Sequence, residues 1–259
     1  MNRKPEYNLA ERTVIITGAA GGIGAATARE LVARGASVTL VDLSQDAVAL
    51  ANSLPAGRAL AHAADVTSLE QMTEAIDVTS LEQMTEAIHA TEQHFGIVDV
   101  VFANAGIAND PPPTLAAADV DAYERVINVD LHGVIRTIKP ALPEIIANHG
   151  HVLVTASVYA FVNGVENSAY AASKGGRRDA RPLAPPRTRT ARRQRRRPLP
   201  RLGRHPIANA ARGHNATATA LTQHAFRGPL GKFVKPEAIA TAVADGIQTR
   251  APRVIHPRV

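Results

Sequence analysis

The 259-residue sequence predicts an α/β fold: a single doubly wound domain spanning residues 1–259, with a central parallel sheet flanked by helices on both faces. Three observations carry this expectation. Five short apolar runs between Thr13 and Ser157 alternate with helical stretches, the order of a doubly wound sheet. The first run, Val14-Ile15-Ile16, is continuously apolar, as a parallel strand covered on both faces should be. It runs directly into a glycine-rich turn and then a helix.

That turn is Thr17-Gly-Ala-Ala-Gly-Gly-Ile-Gly24. Gly18, Gly22 and Gly24 let the backbone turn tightly and approach a ligand where a Cβ would intrude. The helix expected from about Ile23 to Arg34 points free N–H groups and a positive dipole end at the loop, which suits a pyrophosphate. Gly35 follows as the helix stop. Ser37–Asp42 is the second strand. Asp42 stands eighteen residues past Gly24, where an acid accepts hydrogen bonds from ribose hydroxyls and repels a 2′-phosphate. With no basic residue in the glycine loop, NAD is expected rather than NADP. The plain alternative is that Asp42 caps the next helix.

Arg58–Val66 is the third expected strand, and a duplication follows it. Residues 65–76 recur unchanged as residues 77–88. Two copies are too few for a solenoid. Each carries a capping signal, Thr67 with Glu70 or Thr79 with Glu82, and an apolar stripe. A twelve-residue shift rotates that stripe by about 120°, so both copies cannot face the sheet from one straight helix. The second copy leads without a break into Phe95-Gly96 and is expected to pack, while the first bulges outward after Asp65.

Ile97–Gly106 reads as the fourth strand, ending in a small-residue turn. Pro111-Pro-Pro113 marks a loop, and a helix is expected from about Ala117 to Pro140. His151–Ser157 is the fifth strand. Tyr170 and Lys174, four residues apart, share a helix face. A free tyrosine, with pKa near 10, is a poor base at neutral pH. A neighbouring ammonium stabilises the phenolate and lowers that pKa, so Tyr170 can exchange a proton with an alcohol or ketone. Ser157 can hydrogen-bond an oxygen whose charge changes.

These elements together resemble the short-chain dehydrogenase/reductase family, classical type. Thr17-Gly18-x3-Gly22-x-Gly24 resembles its cofactor loop, Asp65-Val66 its adenine-side pair and Asn104-Ala105-Gly106 its Asn-Ala-Gly element. Asn128 resembles the family's helix asparagine, and Ser157 followed by Tyr170-Ala-Ala-Ser-Lys174 its catalytic set. The resemblance implies a Rossmann-type fold and an NAD(H)-dependent oxidoreductase that interconverts a secondary alcohol and a ketone. It implies Asn128, Ser157, Tyr170 and Lys174 as catalytic residues, with Asn128 supporting a proton relay and Lys174 also holding the nicotinamide ribose. The implied cofactor site is Gly18, Gly22, Ile23, Gly24, Asp42, Leu43, Asp65, Val66, Asn104, Ala105, Gly106, Tyr170 and Lys174, with no metal. Family members form dimers or tetramers, so a homo-oligomer is expected if the catalytic helix is intact.

After Lys174 the resemblance stops. Residues 175–213 hold thirteen arginines and one acid, Asp179. The formal charge of +6 belongs to this segment, since the rest of the chain carries 16 basic and 22 acidic side chains. Pro182 should end the catalytic helix early, and no buried central strand could carry Arg192, Arg193, Arg195, Arg196 and Arg197 unpaired. One reading makes Arg187–Arg204 a basic arm for nucleic acid or an acidic partner. The other is out-of-frame translation of GC-rich DNA, which yields Arg, Pro, Ala and Gly. The segment lacks aromatic residues to stack on bases and stands where a core strand belongs, so the second reading fits better and nucleic acid is not expected. The alternative function is then a catalytically impaired chain whose nucleotide half folds and whose basic segment binds anions or does nothing. The pattern resumes near Leu221, with a helix over Pro236–Gly246 and a last strand over Pro252–His256.

No cysteine is present, which excludes disulfides and thiolate chemistry. The polar first residues lack an apolar signal region and no run is long enough to span a membrane, so a cytoplasmic protein is expected.

Overall fold

The structure is a computed structural model that describes residues 7–63, 79–161, 166–176 and 234–251. Five strands, β1 (Thr13–Thr17), β2 (Ser37–Asp42), β3 (Ala59–Ala63), β4 (Val100–Ala103) and β5 (His151–Val154), form one parallel sheet in the order β3-β2-β1-β4-β5. Among the described residues seven α-helices accompany it: α1 (Gly22–Ala33), α2 (Asp46–Ser53), α3 (Thr79–Phe95), α4 (Val120–Ile127), α5 (Gly133–Ala147), α6 (Ser168–Gly176) and α7 (Pro236–Gln248).

The continuous apolar runs are buried on both faces because a strand's side chains alternate sides. Val14 and Ile16 join Leu31 of α1 and Val243, Ala244 and Ile247 of α7 in one core layer. Ile15, between them, joins Met84 and Ile88 of α3 and Ile138, Ala141 and Ile145 of α5 in the other. β4 divides in the same way, with Val100 and Phe102 to the first layer and Val101 and Ala103 to the second. The order of strands reverses direction at β1, between β2 and β4, and a crevice at such a switch point is where open α/β sheets bind ligands.

The second copy of the duplicated segment supplies the start of α3 and buries Met84, Ala87 and Ile88. The whole first copy, residues 65–76, lies outside the described residues, Asp65 and Val66 included. So do residues 177–233, with most of the arginine-rich segment, and residues 252–259, with the last expected strand.

The helix expected from about Ala117 to Pro140 is corrected in three ways. It begins at Val120, where Asp119 accepts a hydrogen bond from Ala122 N–H as N-cap (2.9 Å). It is broken by a π-helical turn at Asn128–His132. It then runs on as α5 through Pro140 and Pro143 to Ala147. Each proline removes one helix donor, but the buried stripe of Val134, Thr137, Ile138, Ala141 and Ile145 keeps the helix on the sheet. The fifth strand ends at Val154 rather than Ser157, because Ser157 begins a 3-10 turn at Val158–Ala160.

A polar clasp closes the end of the sheet opposite the glycine loop. The buried Asp99 carboxylate accepts hydrogen bonds from Thr13 N–H (3.0 Å), Arg12 Nη1 (2.8 Å) and the Tyr7 hydroxyl (3.3 Å). The Tyr7 ring lies between the Arg12 and Arg250 guanidinium groups, 4.2 and 4.3 Å from its centroid. Among the described residues no helix is long and apolar enough to cross a membrane.

Candidate active site

β1 delivers the glycine loop to the crevice. Gly18 and Gly22 have φ of +66° and +53°, the left-handed region that disfavours side chains. A Cβ on Gly18 would stand 2.8 Å from Ala105 Cα, and one on Gly24 would stand 2.0 Å from the Gly18 carbonyl oxygen. The loop, the start of α1 and the turn after β4 are therefore in backbone contact. By contrast, a Cβ on Gly21 would meet nothing within 4 Å, so the loop is open on that side. No side chain caps α1, which begins at Gly22-Ile23. A tight, open, uncapped cradle fits the pyrophosphate of a dinucleotide.

Asp42 ends β2 beside this cradle. One carboxylate oxygen accepts Ala20 N–H (2.8 Å) and the other accepts Ser44 N–H (3.0 Å). The carboxylate thus tethers the glycine loop, and each oxygen keeps a second lone pair for a ligand hydroxyl. Leu43 next to it is 64% exposed. On the other side, Asn104 joins three strand ends. Thr17 Oγ1 accepts Asn104 N–H (3.1 Å) and Ala105 N–H (3.3 Å), Asn104 Nδ2 donates to the Gly18 carbonyl (3.2 Å), and Thr155 Oγ1 donates to Asn104 Oδ1 (2.8 Å).

The titratable groups gather at the same end of the sheet. Lys174 and Tyr170 share one face of α6, with Lys174 Nζ 4.9 Å from the Tyr170 ring centroid. Lys174 is 2% exposed and pairs with the fully buried Asp130, Nζ to Oδ2 2.8 Å. The other Asp130 oxygen accepts Ile107 N–H (2.7 Å). A Cβ on Gly106 would lie 3.1 Å from both Asp130 Oδ1 and Lys174 Nζ, so the turn after β4 closes over the ion pair. Tyr159 packs edge-on against Tyr170, ring centroids 5.6 Å apart. Burial raises the Tyr159 pKa above its ordinary value. Ser157 Oγ accepts Tyr159 N–H (3.3 Å) as cap of that turn, which brings Ser157 to the end of the sheet where Tyr170 stands. A small cavity lined by Asn109, Pro113, Tyr123, Val126, Asn167 and Tyr170 adjoins the tyrosine.

Asp130 was not legible as a site residue. Asn128, singled out in the sequence, accepts a hydrogen bond from Arg136 Nη1 (2.6 Å), and the acid two positions on faces Lys174. A signal was present in the apolar phase. Val126, Gly133, Val134, Thr137 and Ile138 mark the buried face, and residue 130 falls on it four after Val126.

A family model described as short chain dehydrogenase matches residues 12–180. Cis-4-hydroxycyclohexanecarboxylate dehydrogenase of Sinomonas cyclohexanicum is 39% identical over 170 residues, covering 64% of this chain and 63% of the relative. Meso-2,3-butanediol dehydrogenase of Serratia marcescens is 34% identical over 168 residues, covering 63% of this chain and 60% of the relative. The chain thus spans a little under two thirds of the length of these curated relatives. A crystal structure of 3-ketoacyl-(acyl-carrier-protein) reductase from Brucella melitensis, complexed with NADH, superposes with TM-score 0.72 over 94% of this chain and 93% of that one. At 21% identity that likeness shows the shared fold. The family match takes in β1, the glycine loop, the turn after β4, the π-helical turn and α6, which are the elements that build the site, and the chain belongs to the short chain dehydrogenase family.

Proposed function

We propose that the chain is an NAD(H)-dependent oxidoreductase that interconverts a secondary alcohol and a ketone. The carrying observation is the buried Lys174 ammonium beside Tyr170, on one helix face at the cradle end of the sheet. The relatives' names support the substrate class, since hydroxycyclohexanecarboxylate and 2,3-butanediol are secondary alcohols.

Gly18, Gly22, Ile23, Gly24, Asp42, Leu43, Asn104, Ala105 and Gly106 would hold the cofactor, and its nicotinamide ring supplies hydride exchange when bound. Asp42 supports NAD over NADP, because its carboxylate at the β2 end disfavours a 2′-phosphate and the loop has no Arg or Lys to attract one. Tyr170 takes the hydroxyl proton of an alcohol, or returns it to a ketone. Lys174 stabilises the phenolate. Ser157 donates to the substrate oxygen as negative charge develops there. Asn128, on the turn at residues 128–132, supports a proton relay, as the family resemblance implies.

The test is titration of the purified chain with NADH and NADPH by cofactor fluorescence, followed by turnover on a panel of secondary alcohols and ketones. Saturable binding that prefers NADH, with turnover strongly lowered by Tyr170→Phe, is expected. Binding of neither cofactor overturns the proposal.

A further inference from the structure

Lys174 shares its charge with Asp130. The ammonium stands 2.8 Å from Asp130 Oδ2, inside the fold, and closer to that carboxylate than to the centre of the Tyr170 ring at 4.9 Å. Ile107 N–H fixes the carboxylate, and the space beside Gly106 that a Cβ would need is taken by both members of the pair. Opposite charges at such separation offset one another at any third group, and the effect is strong where water is excluded. We propose that Asp130 is a positioning residue: it holds the Lys174 ammonium and offsets the positive charge presented to Tyr170, so the Tyr170 hydroxyl keeps its proton to higher pH than it would beside a neutral amide at residue 130. This rests on the reading of Tyr170 as the proton-transfer group.

Other ionisable groups also face Tyr170. Tyr159 packs edge-on from the turn after β5 and Tyr123 lies across the small cavity on α4, while the buried Glu166, ahead of α6, acts on Tyr159. Both tyrosines carry no charge until well above neutral pH. Glu166 is the same in every variant compared below, so a difference between them reports Asp130.

The experiment is an alkaline titration of phenolate absorbance in the ultraviolet. It compares the native chain with Tyr170→Phe, and Asp130→Asn with the double variant Asp130→Asn/Tyr170→Phe. Each subtraction isolates Tyr170 from Tyr7, Tyr123 and Tyr159. The expected result is a Tyr170 midpoint about one pH unit lower in Asp130→Asn, a roughly tenfold larger acid constant. An unchanged or raised midpoint overturns the proposal. If Asp130→Asn does not fold, the smaller neutral variant Asp130→Ser repeats the comparison. Failure of both variants to fold, judged by circular dichroism, makes Asp130 a purely structural residue and also overturns it. The titration needs neither cofactor nor turnover, so its outcome is separate from failure of the proposed activity.

Discussion

Gly24 shows two residue-scale effects in opposition. Alanine in place of a helical glycine ordinarily stabilises by about 1 kcal/mol. Here the new Cβ would stand 2.0 Å from the Gly18 carbonyl oxygen, so overpacking of about 1–3 kcal/mol should win. Gly24→Ala is therefore expected to lower the urea midpoint and to weaken NADH binding together, both read on one preparation. Tyr170→Phe should leave the fold intact and lower kcat by roughly 10²–10⁴, the size of a lost acid–base group. His151 gives a pH dependence. Burial, then the nearby Arg250 charge, lowers its pKa below the ordinary 6.5, and its Nε2 has no hydrogen-bond partner among the described residues. The unfolded chain then binds a proton below about pH 6.5 that the folded chain refuses, so stability should fall as pH drops through that range. His151→Gln should flatten this slope in urea unfolding followed at a series of pH values.

At the scale of elements, what could be read from sequence was what is local. The glycine loop, Asn104 and the Tyr170–Lys174 pair depend on neighbours within a few residues, and β1 and β4 declared themselves by unbroken apolar runs. The phase of the long helix was different. Residues 128 and 130 sit about 200° apart on an α-helix, so only one can face Lys174. The apolar phase puts residue 130 on the buried face, but its meeting with Lys174 depends on how α6 packs there, which is no property of a single residue type. The prolines of α5 misled for a related reason: their local cost is real, but burial of the stripe through Ile145 outweighs it. The duplicated segment makes the same point for α3. Met84 is fully buried between α3 and the sheet, so Met84→Ala should cost about 2–5 kcal/mol in chemical unfolding. A loss under 1 kcal/mol would show that the other copy can take its place.

Across the whole molecule, polar anchors stand at both ends of the sheet. At one end, Arg34 of α1 reaches Asp245 (2.7 Å) and Gln248 (2.5 Å) of α7, and the Asp99 clasp ties Tyr7, Arg12 and β1 together. Asp99→Ala should destabilise the domain by about 2–3 kcal/mol, less than for a fully buried pair because Arg12 keeps 28% of its surface in water. At the other end the hydrogen bonds run Gly18 carbonyl, Asn104 side chain, Thr155 hydroxyl. That short series spans the sheet from the nucleotide loop to the strand end that leads into Ser157. Its consequence is kinetic. Amides on either side of Asn104 should open as one cooperative unit, so that deuterium uptake at the loop and around Thr155 slows in step when the loop is occupied, although a full strand lies between them.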